Sequence, residues 1–226
     1  MLPKLAPSEN QYGEPVGDAI PARVAGVIGL DAEHRAIWEL ARPHLRVRDN
    51  DAHTLYAYGL ARALCAAEPD AEPAVVLPAI LLHDTGWSCV PEELVLRAIS
   101  PRGGDPELVL RHEREGTRIA TEILTELAAP PEIVAEVADI ISQHDSMQAA
   151  KSLNDAIVKD ADKLWRVSPH GIDTVMDWFG LEREEANRLC SWRVHDHLHT
   201  DAARQMARGL SALASVDAFP ERVALG

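Results

Sequence analysis

A run of nine largely apolar residues, 74–82, ends directly in the polar pair His83–Asp84. The run is apolar on every side at helical spacing, which is typical of a helix buried at the centre of a protein. An imidazole and a carboxylate at the end of such a helix are costly to bury unless something binds them. The sequence therefore predicts a central helix over 74–84, with Gly86 as its C-terminal stop and a binding site beside it.

Other histidines and one aspartate lie on or near further predicted helices. His53 falls in the first turn of a helix that begins near residue 50 and ends near residue 68. His112 lies near the start of an amphipathic helix over 107–127, whose inward stripe is Ile119, Ala120, Ile123, Leu124 and Leu127. His144 continues the apolar stripe of the helix that opens at Pro130 and Pro131, so its side chain is predicted to point toward the core.

The last candidate lies in a predicted helix over 154–167, where Asp160 and Asp162 compete for one role. Asp162 comes four residues after Val158 and three before Trp165, so it shares their face. Asp160 has Ala156 and Lys163 as the corresponding neighbours, which indicates a more exposed setting. We therefore choose Asp162, with Asp160 in reserve as a supporting residue.

Neutral imidazoles and carboxylates together suit manganese, iron, cobalt, nickel or zinc. The cysteines Cys65, Cys89 and Cys190 form no CxxC pair, so a thiolate zinc site or a disulfide framework is not supported. Free and mostly buried thiols in a reducing compartment are the expectation. The sequence predicts a site for one or two divalent transition-metal ions, suited to hydrolysis.

The remaining pattern is helical throughout, and the predicted fold is all-α. Residues 1–21 are rich in proline and are predicted to form an extended N-terminal arm, followed by a single helical domain over 22–226. Further helices are expected at 31–41, 91–99, 171–179 and 182–214. The stretch 88–105 is the most lid-like part of the chain, since long irregular segments beside a site often select substrate.

The net charge of the chain limits the kinds of partner that it is expected to bind. The chain has 22 basic and 36 acidic residues, a formal net charge of −14. Such a field repels duplex nucleic acid, but a bound divalent ion can reverse the local potential for a small phosphate ester. With no secretory signal and no apolar run of membrane-spanning length, we expect a cytoplasmic protein that binds no membrane.

The order H…HD…D resembles the HD superfamily of metal-dependent phosphohydrolases. The local matches are LLHDTGW and IVKDADKLW, and HEREGTRIATEIL and ISQHD are similar to segments of the small bacterial HDIG-type members, so the likeness covers about residues 50–212. The resemblance implies an HD-domain helical bundle. It also implies a metal held by the quartet His53, His83, Asp84 and Asp162.

The resemblance also suggests further roles. His112 and His144 lie in the interval where multinuclear members have two more histidines, so they are expected to bind a second metal or to contact a substrate phosphate. Asp84 is expected both to hold the metal and to orient or deprotonate the attacking water. Lys163 is the expected catalytic cation, and Arg114 and Arg118 are weaker candidates that a solvated helix face would explain.

Two aromatic positions are also candidates for substrate contact. Trp87 follows the HD pair closely and is expected to meet a substrate base or ring, and His170 is expected to line the substrate side. His195, His197 and His199 alternate, so they cannot share one helix face. They are expected to be solvated, or to send one ring to the pocket.

One departure from the family pattern leaves the substrate open. Many relatives have DADRLDAIGAIG where this chain has DADKLWRVSPHG, so their substrate preference does not transfer. The predicted function is hydrolysis of a small phosphate ester or nucleotide, and a homodimer is the candidate assembly. Two alternatives stay open: an HD-fold di-iron oxygenase that oxidises a small organic substrate, and a non-catalytic nucleotide-binding module.

Overall fold

The computed structural model describes residues 21, 29–101, 103–219 and 221. Within them the chain is all-α, as predicted, and has no strand. The helices are α1 (Ala32–Ala41), α2 (Asn50–Ala67), α3 (Pro73–Leu82), α4 (Glu92–Ala98), α5 (Pro106–Glu126), α6 (Pro131–Ile141), α7 (Leu153–Trp165), α8 (Pro169–Phe179), α9 (Arg183–Val194) and α10 (Asp201–Val216). Short 3₁₀ segments span Arg42–His44, Thr85–Cys89 and His195–His197.

The N-terminal arm predicted over 1–21 lies, apart from Pro21, outside the described residues. The domain boundary at residue 22 therefore stays a prediction. Asp31–Gly226 forms one compact unit, and every residue discussed below belongs to it.

Helix α3 lies at the centre of this unit. All of its residues from Val75 to Leu82 are buried, and it packs against α1, α2, α5, α6 and α7. The buried central helix predicted from the apolar run is therefore confirmed. The helix ends at Leu82, so His83 and Asp84 lie in the turn that leads into the Thr85–Cys89 segment.

Gly86 has a different role from the predicted helix stop. It is not among the positive-φ glycines, and it lies inside the Thr85–Cys89 segment against the backbone of α5. A Cβ atom there would overlap the carbonyl group of His112 and crowd the backbone nitrogen of Gly116. The glycine is thus required because two backbones approach each other closely.

The structure corrects two further element predictions. The helix predicted over 182–214 is two helices, α9 and α10, separated by residues 195–200. Thr200 caps α10, since its side chain accepts a hydrogen bond from the backbone N–H of Ala203. On α5, Ile119, Ala120, Ile123 and Leu124 are buried as predicted, but Leu127 is 36% exposed because the helix ends at Glu126.

Two other features concern the described residues as a whole. No single described helix is long and apolar enough to cross a membrane, whereas Pro73–Cys89 and Glu92–Ala98, bent by 118°, pass the length and composition test as a pair. Cys65, Cys89 and Cys190 are free thiols, of which Cys190 is buried and the other two are half-buried.

Candidate metal centre

The six side chains predicted to bind metal meet beside the end of α3. His53 comes from α2 and Asp162 from α7, and both are buried against His83 and Asp84. His53 Nε2 lies 3.1 Å from His83 Nε2 and 3.3 Å from both Asp84 Oδ2 and Asp162 Oδ1. Atoms bound about 2.1 Å from one ion are separated by roughly 3–4 Å. His53, His83 and Asp162 therefore have the spacing of ligands to a single ion, and together with the adjacent Asp84 we call them the first donor set.

A second donor set lies on the other side of Asp84. His112 from α5 and His144 from the turn after α6 bring their Nε2 atoms to 3.3 Å from each other. Asp84 Oδ1 lies 3.5 Å from His112 Nε2 and 3.8 Å from His144 Nε2. Asp145 Oδ2 completes the set at 3.7 Å and 3.6 Å from the same two nitrogens. Asp84 Oδ2 thus faces His53 of the first set, whereas Asp84 Oδ1 faces the second set and also lies 3.6 Å from His83 Nε2.

The hydrogen bonding of the rings fits a cation between these groups. The Nδ1 atoms of His83 and His144 donate to the carbonyl oxygens of Ile80 and Ile141, at 2.8 and 2.9 Å. A carbonyl group only accepts, so each neutral ring presents a lone pair at Nε2, facing carboxylate oxygens. Lone pairs that face carboxylates repel unless a proton or a metal ion lies between them. The donor set is therefore able to hold a metal ion.

Without metal, protons take this place at two of the histidines. Burial alone would lower the pKa of His53, but hydrogen bonds to Asp162 and Asp84 raise it to about 9. The pKa of His144 rises to about 10, because the charge of Asp145 and the hydrogen bond to Asp84 outweigh burial. Burial and the neighbouring His144 lower the pKa of His112 to about 3, so its ring is neutral.

We expect the free energy of unfolding of the metal-free protein to fall as the pH rises from about 6.5 to about 10. Folding raises the pKa of His53 and of His144 to about 9 and about 10 from 6.5. The folded state therefore binds these protons more tightly than the unfolded chain does. The stabilisation from these two bound protons is fully present below pH 6.5. It is lost as the pH rises through the raised pKa values of about 9 and about 10.

Equilibrium urea unfolding of metal-free protein across this pH interval measures the effect. The carboxyl groups of Asp84 and Asp162 have pKa values well below the ordinary value, although burial alone would raise them. Their contribution therefore changes only below about pH 4 and does not overlap this interval. The metal-loaded protein is the control, since its ligands have already lost their protons. A constant or rising stability of the metal-free protein would contradict the expectation.

Two buried residues hold the second donor set in place. Glu113 is 1% exposed, and its Oε1 accepts hydrogen bonds from the backbone N–H groups of Asp145 and Ser146, at 3.0 and 2.8 Å. Trp87 stacks on His112 with ring centres 4.0 Å apart, and its Nε1 donates to Asp84 Oδ1 at 3.1 Å. Trp87 is only 4% exposed and also lines a small cleft beside His53, Asp84 and Asp162, so its contact with a substrate ring stays a prediction.

A cavity of about 490 Å³, the polar cavity, opens beside both donor sets. Lys163, the predicted catalytic cation, lines it, as do His144, Asp145 and Asp162. Arg166 also lines it and donates to Asp162 Oδ2 at 3.3 Å. Sequence reasoning missed Arg166 as a member of the site and gave Asp145, directly after His144, no separate role. The available signals were their positions, four residues after Asp162 and one after His144.

Other predicted contacts lie elsewhere. His170 accepts a hydrogen bond from Trp165 Nε1 at 3.0 Å and stacks on Tyr56, with ring centres 4.4 Å apart. It lines none of the cavities described here, which argues against substrate binding by His170. Arg118 is paired with Glu115 and Glu122 on the surface of α5, as a solvated helix face implies. His197 and His199 both line the polar cavity, where at most one of these rings was expected.

Asp160 is the clearest correction among the site residues. It is fully buried rather than exposed. Its carboxylate accepts from the backbone N–H groups of His199 and Thr200, at 2.8 and 2.9 Å, and from the Thr200 hydroxyl at 2.9 Å. These bonds fix the start of α10, so Asp160 has a structural role and does not support the donor sets.

We expect Asp160→Ala to lower the free energy of unfolding by about 2–4 kcal/mol, because it leaves buried donors near Thr200 unpaired. Asp162→Asn is expected instead to lose bound metal while the fold is retained. Urea unfolding and elemental analysis of both variants separate the two effects. Loss of metal from folded Asp160→Ala, with full metal content in Asp162→Asn, would reverse our choice between them.

The fold and the clustered donors define a helical metal-binding domain built around a His–Asp pair. The family model for the HD domain matches residues 50–166, just over half of the 226-residue chain. The chain therefore belongs to the HD-domain family, which confirms the resemblance seen in the sequence.

A solved structure agrees at the level of the fold. The crystal structure of a predicted HD superfamily hydrolase from an uncultured Thermotogales bacterium is similar, with a TM-score of 0.57 and 20% sequence identity. The similarity covers 85% of this chain and 92% of that one. No curated protein matches the sequence.

Proposed function

We propose that this protein is a metal-dependent phosphohydrolase that cleaves a small phosphate ester or nucleotide with water. The observation that carries the proposal is the position of Asp84. This one carboxylate contacts both donor sets, with Oδ2 at 3.3 Å from His53 Nε2 and Oδ1 at 3.5 Å from His112 Nε2. The site opens on a cavity of about 490 Å³, a size suited to a small ligand.

The first donor set is assigned to a divalent ion of manganese, iron, cobalt, nickel or zinc, and the second set to a further ion. Bound there, such an ion supplies Lewis acidity toward a phosphoryl oxygen and lowers the pKa of water. Asp84 orients the attacking water and accepts its proton from its central position between the donor sets, and its lowered pKa keeps the carboxylate ionised. His112 and His144 serve the second set or, with one ion bound, contact the phosphate.

The cations of the cavity stabilise the phosphate as negative charge develops on it. Lys163 lines the cavity directly beside Asp162. Burial lowers the pKa of Lys163 from its ordinary value, which is the signature of a partly desolvated ammonium group. Arg166 lies on the same side and also holds Asp162 through its hydrogen bond.

Elemental analysis of the purified protein, followed by phosphate release from a panel of phosphate esters and nucleotides with each metal, tests the proposal. We expect turnover with at least one metal and none after chelation. Metal binding without turnover of any phosphate ester would favour the non-catalytic module. Metal content and O₂ consumption are compared between aerobic and anaerobic preparations. Two bound irons together with O₂ consumption would favour the oxygenase, and the second donor set also suits that function.

We expect Lys163→Met to lower kcat/KM by roughly 100-fold while metal content is unchanged. Methionine keeps much of the length of the side chain and removes the charge that faces the phosphate. Arg118→Met is the matched control, because Arg118 is a half-exposed cation away from the cavity. Equal activity of the Lys163→Met and Arg118→Met variants would exclude Lys163 from the reaction.

A further inference from the structure

A second pocket, of about 190 Å³, adjoins the donor sets on the side of α4, α8 and α9. We call it the apolar pocket. Most of its described lining is hydrocarbon, aromatic ring or thiol: Ala98, Ile99, Pro101, Val109, Val175, Trp178, Phe179, Leu189 and Cys190. Its charged lining residues are Asp145, Arg166 and Arg193, and these same three also line the polar cavity. Among the described lining residues, charge is therefore confined to the border that the two cavities share.

The apolar pocket also borders the donor atoms themselves. A cleft of about 60 Å³ is lined by His53, Asp84 and Asp162. Ile99, Asp145, Arg166 and Trp178 line both this cleft and the apolar pocket. A group that extends from the donor atoms past Arg166 therefore enters a space with apolar walls.

The lining suits a flat apolar group. Trp178 and Phe179 stand edge to face, with ring centres 6.4 Å apart and planes at 89°. Water inside such walls has few polar partners, so an apolar ligand displaces it favourably. An apolar protein cavity of about 150 Å³ holds benzene, so the pocket has room for one six-membered ring.

The cations at the border suit the other end of such a ligand. Arg166 and Arg193 both line the border; within the part of the chain that the structure describes, Arg193 donates one long hydrogen bond, 3.4 Å, to the carbonyl oxygen of Ser100 and lies over the ring of Trp192. Each guanidinium group has donors to spare, and their planar forks match phosphate oxygens. Along the site, the donor sets are thus followed by the two arginines and then by the apolar pocket.

We propose that the substrate is a phosphate monoester whose organic group is apolar or aromatic, with its phosphate beside Asp84, Arg166 and Arg193 and its organic group in the apolar pocket. This inference rests on the proposed function. Hydrolysis forms a P–O bond to the oxygen of water and breaks the P–O bond to the organic alcohol. The water proton passes through Asp84 to the leaving alkoxide, which gives the alcohol and inorganic phosphate.

The first test is binding, with phosphonates that cannot be hydrolysed. Calorimetry of the manganese-loaded protein compares benzylphosphonate with methylphosphonate, which carry the same charged group and differ in the ring. We expect benzylphosphonate to bind at least roughly tenfold more tightly, because its ring leaves water. Equal affinities of the two compounds would overturn the inference.

Leu189→Trp fills the apolar pocket from α9 and is expected to bring the ratio of the two affinities close to one. Arg188→Trp is the matched control, since it adds the same side chain at the neighbouring position, which is 82% exposed. It should keep the wild-type ratio. If Leu189→Trp does not fold, Phe179→Ala removes one aromatic wall and should also lower the ratio. An unchanged ratio in a folded Leu189→Trp or Phe179→Ala variant would overturn the inference.

Turnover separates this inference from the proposed function. Benzyl phosphate and methyl phosphate release similarly basic alcohols, so a lower KM for benzyl phosphate reports the pocket rather than the leaving group. Selective benzylphosphonate binding without hydrolysis of any ester would refute the phosphohydrolase and keep the assignment of the pocket. Hydrolysis of both esters with equal KM would refute the pocket and keep the phosphohydrolase.

Discussion

Asp84→Asn is expected to lose bound metal and to lower kcat by at least about 1,000-fold. The amide keeps the shape of the side chain but removes the negative charge that both donor sets share. It also replaces one oxygen, which faces either His53 or His112 in the wild type, by an N–H donor. A donor that points at a cation is repelled by it, so neither ion is held as before. Elemental analysis and phosphate release measure both losses.

Two control variants show whether the loss is specific. Asp139→Asn changes an exposed carboxylate that pairs with Lys151 on the surface, and it should leave metal content and kcat unchanged. Asp145→Asn touches only the second donor set, so it should reduce the metal bound per chain without emptying the first set. Full metal content and activity in Asp84→Asn would refute the bridging role of this carboxylate.

Helical phase was sufficient to predict much of the donor sets. His144 continues the stripe of Ile140 and Ile141 and is buried, as the spacing required. Asp162 shares a face with Val158 and Trp165, and its Oδ1 reaches His53. The direction of Asp162 follows because a helix fixes the direction of a side chain locally, and His144 keeps the direction of the stripe in the turn that directly follows α6.

The same reasoning failed for Asp160 because its partners are remote in sequence. The helix neighbours of Asp160, Ala156 and Lys163, predict an exposed carboxylate when they are considered alone. Its burial depends on backbone N–H groups about 40 positions away, at His199 and Thr200. A buried carboxylate of this kind is stabilised by hydrogen bonds that no periodicity encodes.

Arg166 and Glu113 were missed, and Asp145 was given no separate role, for a related reason. Asp145 joins the second donor set because Glu113, 32 residues earlier, binds its backbone N–H and fixes the turn after α6. Arg166 lies at the end of α7 and borders the three cavities, which is visible only once α8 and α9 are packed against it. Local pattern predicts which face a side chain occupies, whereas tertiary packing decides what it meets there.

The second large effect concerns the backbone contact that brings His112 to Asp84. We expect Gly86→Ala to lower the free energy of unfolding by about 1–3 kcal/mol, because a methyl group must be forced into a filled space. The overlap is with backbone atoms of α5, at His112 and Gly116, which cannot rotate away as a side chain can. Urea unfolding of the metal-free protein measures the loss.

Gly59→Ala is the matched control for this substitution. Gly59 lies inside α2, and a Cβ atom there meets nothing within 4 Å. The change should therefore raise the free energy of unfolding by about 0.5–1 kcal/mol, since alanine is the better helix former. If Gly86→Ala lowers the free energy of unfolding and Gly59→Ala raises it, then packing around the glycine, rather than the loss of a glycine, decides the effect on stability.

Gly86→Ala should also affect the two donor sets unequally. Separating α5 from the Thr85–Cys89 segment moves His112 away from Trp87 and from Asp84 Oδ1, which lie on that side of the contact. His53 lies on α2, His83 in the turn after α3 and Asp162 on α7, so α5 carries none of these three side chains. We expect elemental analysis to find the first ion retained and the second weakened. Loss of both ions together would mean that the two sets form a single unit, and full retention of both would mean that the close backbone contact does not position His112.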